Sequence, residues 1–398
     1  MIIRMSHRTR NVTLGALITL IVLLCGVYLV SALHIGAVTY STEREVKKEQ
    51  EIATTSNPDI VAEAPDPSWP LTLDTKEYDR RLLILSDYKP EAPIVHASSS
   101  TSTATTTTPA SKLVYSDTAN VTITGKRWPT AQPYPHGDAI LPFKRIVAYY
   151  GNLYSTKMGV LGEYEPDDML ERLRKACAEW ETADPSTPVL PAIEYIAIVA
   201  QGAPGADGMY RAVMPDTEIE KAYTLAHKSG GIFILDLQTG LSTIQKELPK
   251  FKKYLEHPDV HLAIDPEFSM KTGKKPGTVI GTYDASDVNY VINYLADIVE
   301  ANKLPPKVLI VHRFTEDMVT GSNRIAPTPE VQVVINMDGW GSKDLKTGTY
   351  THIIEPEPVQ FTGVKLFYKN DLKPPSTRLL TPQEVLLFHP KPIYIQYQ

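Results

Sequence analysis

The chain has 398 residues, 42% of them hydrophobic and 22% charged, with a formal net charge of −6. That balance suits a globular domain and argues against a nucleic-acid partner. The basic cluster Lys250 to Lys253 is flanked by Glu247 and Glu256 in a helical pattern and reads as a solvated helix face. With two cysteines, Cys25 and Cys177, neither a disulfide framework nor a cysteine-built metal site is available.

Taken in chain order, the first element is an apolar run. Arg4, His7, Arg8 and Arg10 precede Thr13 to Leu33, which carries no charged side chain and is long enough to cross a bilayer. Residues 1–40 are therefore expected to be a signal anchor: a single transmembrane helix with its short end in the cytoplasm and the remainder outside. The alternative is a signal peptide cleaved near Val30-Ser31-Ala32 and a secreted chain. A lipoprotein through Cys25 is disfavoured by Leu24, where a small residue is expected.

Residues 41–142 change character. A charged stretch, STEREVKKEQE, gives way to prolines, acids and the run ASSSTSTATTTTPASK. Such polar sequence buries too little apolar surface to offset its ordering entropy, so most of this segment reads as a disordered linker. Arg80 to Tyr88 and Lys112 to Trp128 are exceptions, with strand-like β-branched content and the potential to pack on the domain downstream.

Residues 143–398 become regular. Eight short β-branched or aromatic runs recur: RIVAYYG, IEYIAIVA, IFILDLQ, HLAIDPEF, KVLIVHRF, VQVVINMD, VKLFYKND and PIYIQYQ. Helical spacing separates the first five: Met169, Leu173, Cys177 and Trp180; Ile219, Ala222 and Ala226; Leu241, Ile244, Leu248, Phe251 and Leu255; Val288, Val291, Leu295 and Ile298. Pro166-Asp167-Asp168, Asp216 and Asp284 mark helix starts, and Gly230-Gly231 marks a stop. Between Gly339 and Thr362 no helix is evident, and the last crossover holds only TPQEVLLFH. Strands alternating with helices demand parallel pairing with right-handed crossovers, and eight of them close an α/β (β/α)8 barrel of the TIM type. An open doubly wound sheet is the alternative, but no glycine-rich phosphate loop follows the first strand.

In such a barrel the site lies at the carboxyl ends of the strands. The polar residues there are Tyr150 and Asn152; Gln201; Asp236 and Gln238; Asp265 and Glu267; His312 and Arg313; Asn336 and Asp338; Tyr368 and Asn370; and Gln396. Strand alternation puts Asp265 with Glu267, and Asn336 with Asp338, on one side, while Ile264 and Ile335 face the helices. Acids and amides ringed by Tyr149, Tyr150, Tyr154, Trp340 and Tyr368 suit a sugar, whose hydroxyls meet carboxylates and whose ring faces meet aromatics.

The sequence AIDPEF at the end of the fourth strand resembles the Asp-x-Glu of chitinase-like and lysozyme-like glycoside hydrolases with this barrel. The resemblance implies Glu267 as the acid that protonates the glycosidic oxygen and Asp265 as its partner. It departs upstream, where further aspartates of the chitinase motif are replaced by His261 and Ala263. Glycoside hydrolysis needs one protonated carboxyl and a second carboxylate, and Asp236 is the expected third member, with Asp338 in reserve. The function expected is that of a membrane-anchored glycoside hydrolase acting outside the cytoplasm on envelope or environmental polysaccharide, with no cofactor. A second class is a non-catalytic barrel that binds glycan or protein at the cell surface, with Asp265 merely capping a turn. A third uses Asp236, Asp265, Glu267 and His312 as ligands of a metal that hydrolyses a phosphoester, although no HxH or HExxH spacing supports it.

Overall fold

The computed structural model describes residues 69–86 and 128–398. Eight strands form a closed, all-parallel barrel: β1 (Arg145–Gly151), β2 (Val189–Ala200), β3 (Ile232–Leu237), β4 (Val260–Ile264), β5 (Lys307–Arg313), β6 (Val331–Met337), β7 (Phe361–Leu366) and β8 (Tyr394–Tyr397). Each strand pairs with its neighbours in chain order, and β1 pairs with both β2 and β8, which closes the ring. A short strand, Arg211–Val213, adds antiparallel to β2 outside the ring.

Period-two alternation divides every strand between two cores. Val147, Ile193, Phe233, Leu262, Val311, Ile335 and Ile395 face outward against the helices, while Ile146, Ile234, Ile310, Val334 and Phe361 fill the interior. Ile264 and Ile335 face the helices, as alternation requires.

The crossovers follow local chemistry. Helix α2 (Pro166–Ala183) opens with Pro166 at its start and Asp167 and Asp168 in its first turn, and buries Met169, Leu173, Ala176 and Trp180. Helix α3 (Asp216–Lys228) likewise has Asp216 in its first turn and ends before Gly230-Gly231. Helix α4 (Ala285–Asn302) is capped by a reciprocal pair, Asp284 and Asp287, and buries Val288, Val291, Leu295 and Ile298. The periodic stretch between β3 and β4 is not one helix: Pro249 lacks an N–H, and the segment breaks into Ile244–Glu247, the 3-10 turn Leu248–Phe251 and Lys252–Leu255. A helix does precede β7, Lys343–Thr349, continued by a π-helical turn, Tyr350–Ile354. Gly348 and three threonines hid it from a propensity reading.

Residues 69–86 and 128–142, within the segment read as linker, pack on the amino end of the barrel. Helix α1 (Thr75–Leu85) covers most of the stretch that looked strand-like. Asp74 caps it, accepting from the Glu77 N–H at 3.0 Å, and Glu77 takes Arg81 at 2.7 Å one turn on. These local contacts outweigh the β-branched content. Tyr78 and Leu85 of α1, with Trp128 and Leu141, close the interior core from below. The Trp128 indole N–H donates to the Gln360 carbonyl at 2.7 Å. Among the described residues no helix is long and apolar enough to cross a membrane. The expected anchor, Thr13 to Leu33, lies outside them, as do the Ser/Thr run and most of Lys112 to Trp128.

Candidate active site

At the carboxyl end of the barrel a cleft of about 480 Å³ is lined by Tyr150, Gln238, Asp265, Glu267, Asp338 and Lys365, with Phe268, Phe314, Trp340 and Phe367 around them. Its size is that of an ordinary small-molecule site. Trp340 is 54% exposed at the rim.

The acid pair does not continue the strand. β4 stops at Ile264, and Pro266–Phe268 form a 3-10 turn capped by Asp265, whose Oδ1 accepts the Glu267 N–H at 3.0 Å. Pro266, with its fixed φ, starts the turn. Both acids still reach the cleft, but through a cap and a turn rather than by strand alternation. The Gly281 N–H donates to the Glu267 carbonyl at 2.7 Å and pins the turn from above.

Beside them runs a chain of charged contacts. Lys365 Nζ lies 3.0 Å from Asp338 Oδ1 and 3.9 Å from the centre of the Tyr150 ring. Asp338 Oδ2 is 3.2 Å from His312 Nδ1, and His312 Nε2 is 3.3 Å from Glu194 Oε1. The other oxygen of Glu194, Oε2, accepts from Tyr394 Oη and Gln396 Nε2. Asn336 Nδ2 donates to Gln396 Oε1 at 3.1 Å. Small residues make this layer possible: Ala148, Ala192 and Ala263 face inward, and a side chain on Gly363 would meet Asn336 Oδ1 and the Tyr394 ring at 2.8 Å.

These contacts drive the carboxyls apart. Burial raises the Asp338 pKa, but Lys365 and then His312 outweigh it and hold Asp338 below its ordinary range. Burial and the Asp338 charge push Glu267 up to about 7, against the opposing charges of Lys365 and His312. Asp265 is raised well above its usual value by burial and by its acidic neighbours. Burial likewise raises Asp236. His312 is held well above an ordinary imidazole because Asp338 and Glu194 outweigh the cost of burying its charge.

The remaining expected site residues divide. Gln238 donates to Tyr150 Oη at 3.1 Å and accepts from the Ala200 N–H at 3.0 Å, which steadies the cleft wall. Asp236, His312, Asn336 and Gln396 are fully buried in the layer below the cleft and do not line it. Asn152 is spent on the backbone of Ile196 and Tyr154. Gln201 sits on an exposed loop. Arg313 turns away to Glu357 at 2.7 Å and to the carbonyls of Thr315 and Glu316. Tyr368 pairs with Tyr149 at 3.0 Å and stacks on Tyr397, outside the cleft. Tyr154 is exposed and away from it as well.

Glu194 and Lys365 are site residues that strand-end reasoning passed over. Glu194 is the lone charge of its apolar run, IEYIAIVA, and Lys365 the lone charge of β7, FTGVKL, and that isolation is itself a signal, since an unpaired charge in a buried run is costly.

No family model matches the chain, and no curated protein matches its sequence. Among solved structures it is similar to the GH26 domain of an endo-beta-mannanase/endo-beta-glucanase from Prevotella bryantii, at 8% identity over 65% of this chain and 85% of that one, with a TM-score of 0.31. It is similar to Burkholderia cenocepacia dihydropteroate synthase at 11% identity over 65% and 86%, with a TM-score of 0.32. A third is the Bacillus subtilis mannanase man26, at 10% identity over 56% and 74%, with a TM-score of 0.30. These are likenesses of barrel architecture at low identity, and the chemistry is read from the cleft itself.

Proposed function

We propose that this domain is a glycoside hydrolase in which Glu267 is the general acid and Asp338 the carboxylate that works with it. The observation that carries this is their difference in environment within one cleft. Asp338 is ion-paired with Lys365 at 3.0 Å, while among the described residues Glu267 has no cationic partner at contact distance and is held near a pKa of about 7. Two carboxyls pushed apart in this way supply an acid and a base at the same pH. Glu267 gives its proton to the departing glycosidic oxygen as the bond to the anomeric carbon breaks. Asp338 serves the other side of the sugar, and Asp265 positions Glu267 by capping its turn. Trp340 and Phe367 supply ring faces for a saccharide. Asp236, lying beneath the cleft floor, takes no part in this assignment.

The substrate class is a polysaccharide of the cell envelope or the surroundings. The apolar run from Thr13 to Leu33, flanked by arginines, supports export and anchoring of the domain outside the cytoplasm. A panel of peptidoglycan, chitin oligomers, mannan and glucan, assayed for new reducing ends, tests the activity. Cleavage of one of them that is lost in Glu267→Gln supports the assignment. Tight binding without cleavage, unaffected by that change, favours a non-catalytic glycan-binding barrel.

A further inference from the structure

Beneath the cleft floor three fully buried side chains from different strands converge: Glu194 on β2, Asp236 on β3 and His312 on β5. One ligand atom from each lies within 4.8 Å of the others. Among the described residues, Glu194 Oε1 and His312 Nε2 meet only each other, at 3.3 Å, and neither Asp236 oxygen makes a well-formed hydrogen bond, the Tyr150 hydroxyl being its one neighbouring donor, although all are sealed from solvent. The backs of two of these groups are well held. His312 Nδ1 faces the Asp338 carboxylate at 3.2 Å, and Glu194 Oε2 is held by Tyr394 and Gln396.

That pattern constrains the species that can sit between them. Asp338 in its ionised form only accepts, so His312 carries its proton on Nδ1 and turns Nε2 toward Glu194 and Asp236. A second proton on Nε2 would answer Glu194 at 3.3 Å. It would leave Asp236 with the Tyr150 hydroxyl as its only donor and one carboxylate oxygen buried unanswered, which a folded interior seldom tolerates. A doubly charged cation answers all three groups at once. With metal–ligand bonds of about 2.1 Å, ligand atoms settle roughly 3–4 Å apart, so a small side-chain adjustment closes the site. An imidazole backed by a carboxylate and a carboxylate backed by hydroxyl and amide donors are the supports such ligands use.

We propose that Glu194, Asp236 and His312 bind a first-row divalent cation, of the zinc or manganese class, in the barrel interior below the cleft. One imidazole and two carboxylates favour such a cation over calcium or magnesium, which prefer oxygen alone. The site shares no ligand with Glu267 or Asp265 and stands whether or not the cleft cuts glycans.

The test uses the whole chain, stripped of metal and dialysed separately against Zn2+, Mn2+ and Mg2+, with bound metal counted and the thermal midpoint recorded. About one equivalent of Zn2+ or Mn2+ per chain should be retained, with a rise in midpoint that Mg2+ does not reproduce. Asp236→Asn and Glu194→Gln should each weaken retention about tenfold or more and remove that rise, whereas Glu267→Gln should leave both intact. In metal-free protein Asp236→Asn should keep or raise the midpoint, because it replaces a buried acid that has no cationic partner at contact distance among the described residues and keeps an oxygen to accept from Tyr150. Absence of retention and of any midpoint rise with both Zn2+ and Mn2+ overturns the proposal. So does retention that survives Asp236→Asn, retention lost only in Glu267→Gln, or a fall in the metal-free midpoint of Asp236→Asn.

Discussion

Oδ1 of Asp265 accepts the backbone N–H of Glu267 at 3.0 Å, so the first acid of the pair anchors the turn that carries the second. Capping and chemistry are therefore not competing explanations of this stretch. The cap is what aims Glu267 into the cleft.

Asp265→Ala removes that cap and should cost about 1 kcal/mol of stability. It should also lower turnover by about 100-fold, because the acid loses its orientation. Asp265→Asn keeps an acceptor oxygen and should restore most of the stability. Urea denaturation of the two variants checks this, and equal losses in both would contradict a capping role.

The pH dependence follows from Glu267. A general acid with a pKa of about 7 is active when protonated, so turnover should fall as pH rises through about 7. Lys365 lowers the pKa of Glu267 and of Asp338. Lys365→Gln should therefore move both limbs of the rate profile to higher pH. In stability the sign is the same. A carboxyl whose folded pKa lies above its unfolded value of 4.5 favours the folded state at low pH, and that advantage is lost between about 4.5 and 7. Glu267→Gln should flatten that decline, as denaturant midpoints across this pH window would show.

Much of this architecture is visible in sequence because it rests on periodicity. The eight strands, the Asp284 cap, Pro166 and the Gly230-Gly231 stop are local signals read without knowing the partner strands. What was hidden depended on other information. Tyr149 and Tyr150 are adjacent on one strand and cannot both face the cleft, and only the closed barrel shows that Tyr150 is the inward one. Glu194 lies in the middle of β2, and Lys365 sits one residue from the end of β7, a strand that its sequence pattern extends to Asp371, so a survey of strand termini missed both. Arg80 to Leu85 looked strand-like because its helix depends on Asp74 and Glu77, upstream of the β-branched residues. Conversely, a good helical pattern from Leu241 to Leu255 is interrupted by one proline.

The packing of Trp128 predicts a stability effect far from the cleft. It is 6% exposed, closes the amino end of the barrel and donates to Gln360 at 2.7 Å. Trp128→Ala should cost about 3–5 kcal/mol, and a chain starting at residue 143, which lacks Tyr78, Leu85, Trp128 and Leu141 together, should be less stable than one starting at Ser68. Equal denaturation midpoints for those two chains would mean that the upstream residues are dispensable.

Gly363 tests the buried layer. A Cβ there would lie 2.8 Å from both Asn336 Oδ1 and the Tyr394 ring, so Gly363→Ala should cost about 1–3 kcal/mol by overpacking. It should also disturb the Tyr394 contact to Glu194. A silent substitution would show that this layer has slack, contrary to its close packing.

Glu267 as general acid is tested most directly by measuring turnover and binding together in Glu267→Gln, on whichever glycan the native chain cleaves. The substitution keeps size and shape but removes the transferable proton. Turnover should fall by about 10²–10⁴ while the dissociation constant for that glycan stays close to the native value. Native turnover in Glu267→Gln, or a parallel loss of binding and rate, would contradict Glu267 as the general acid of this cleft.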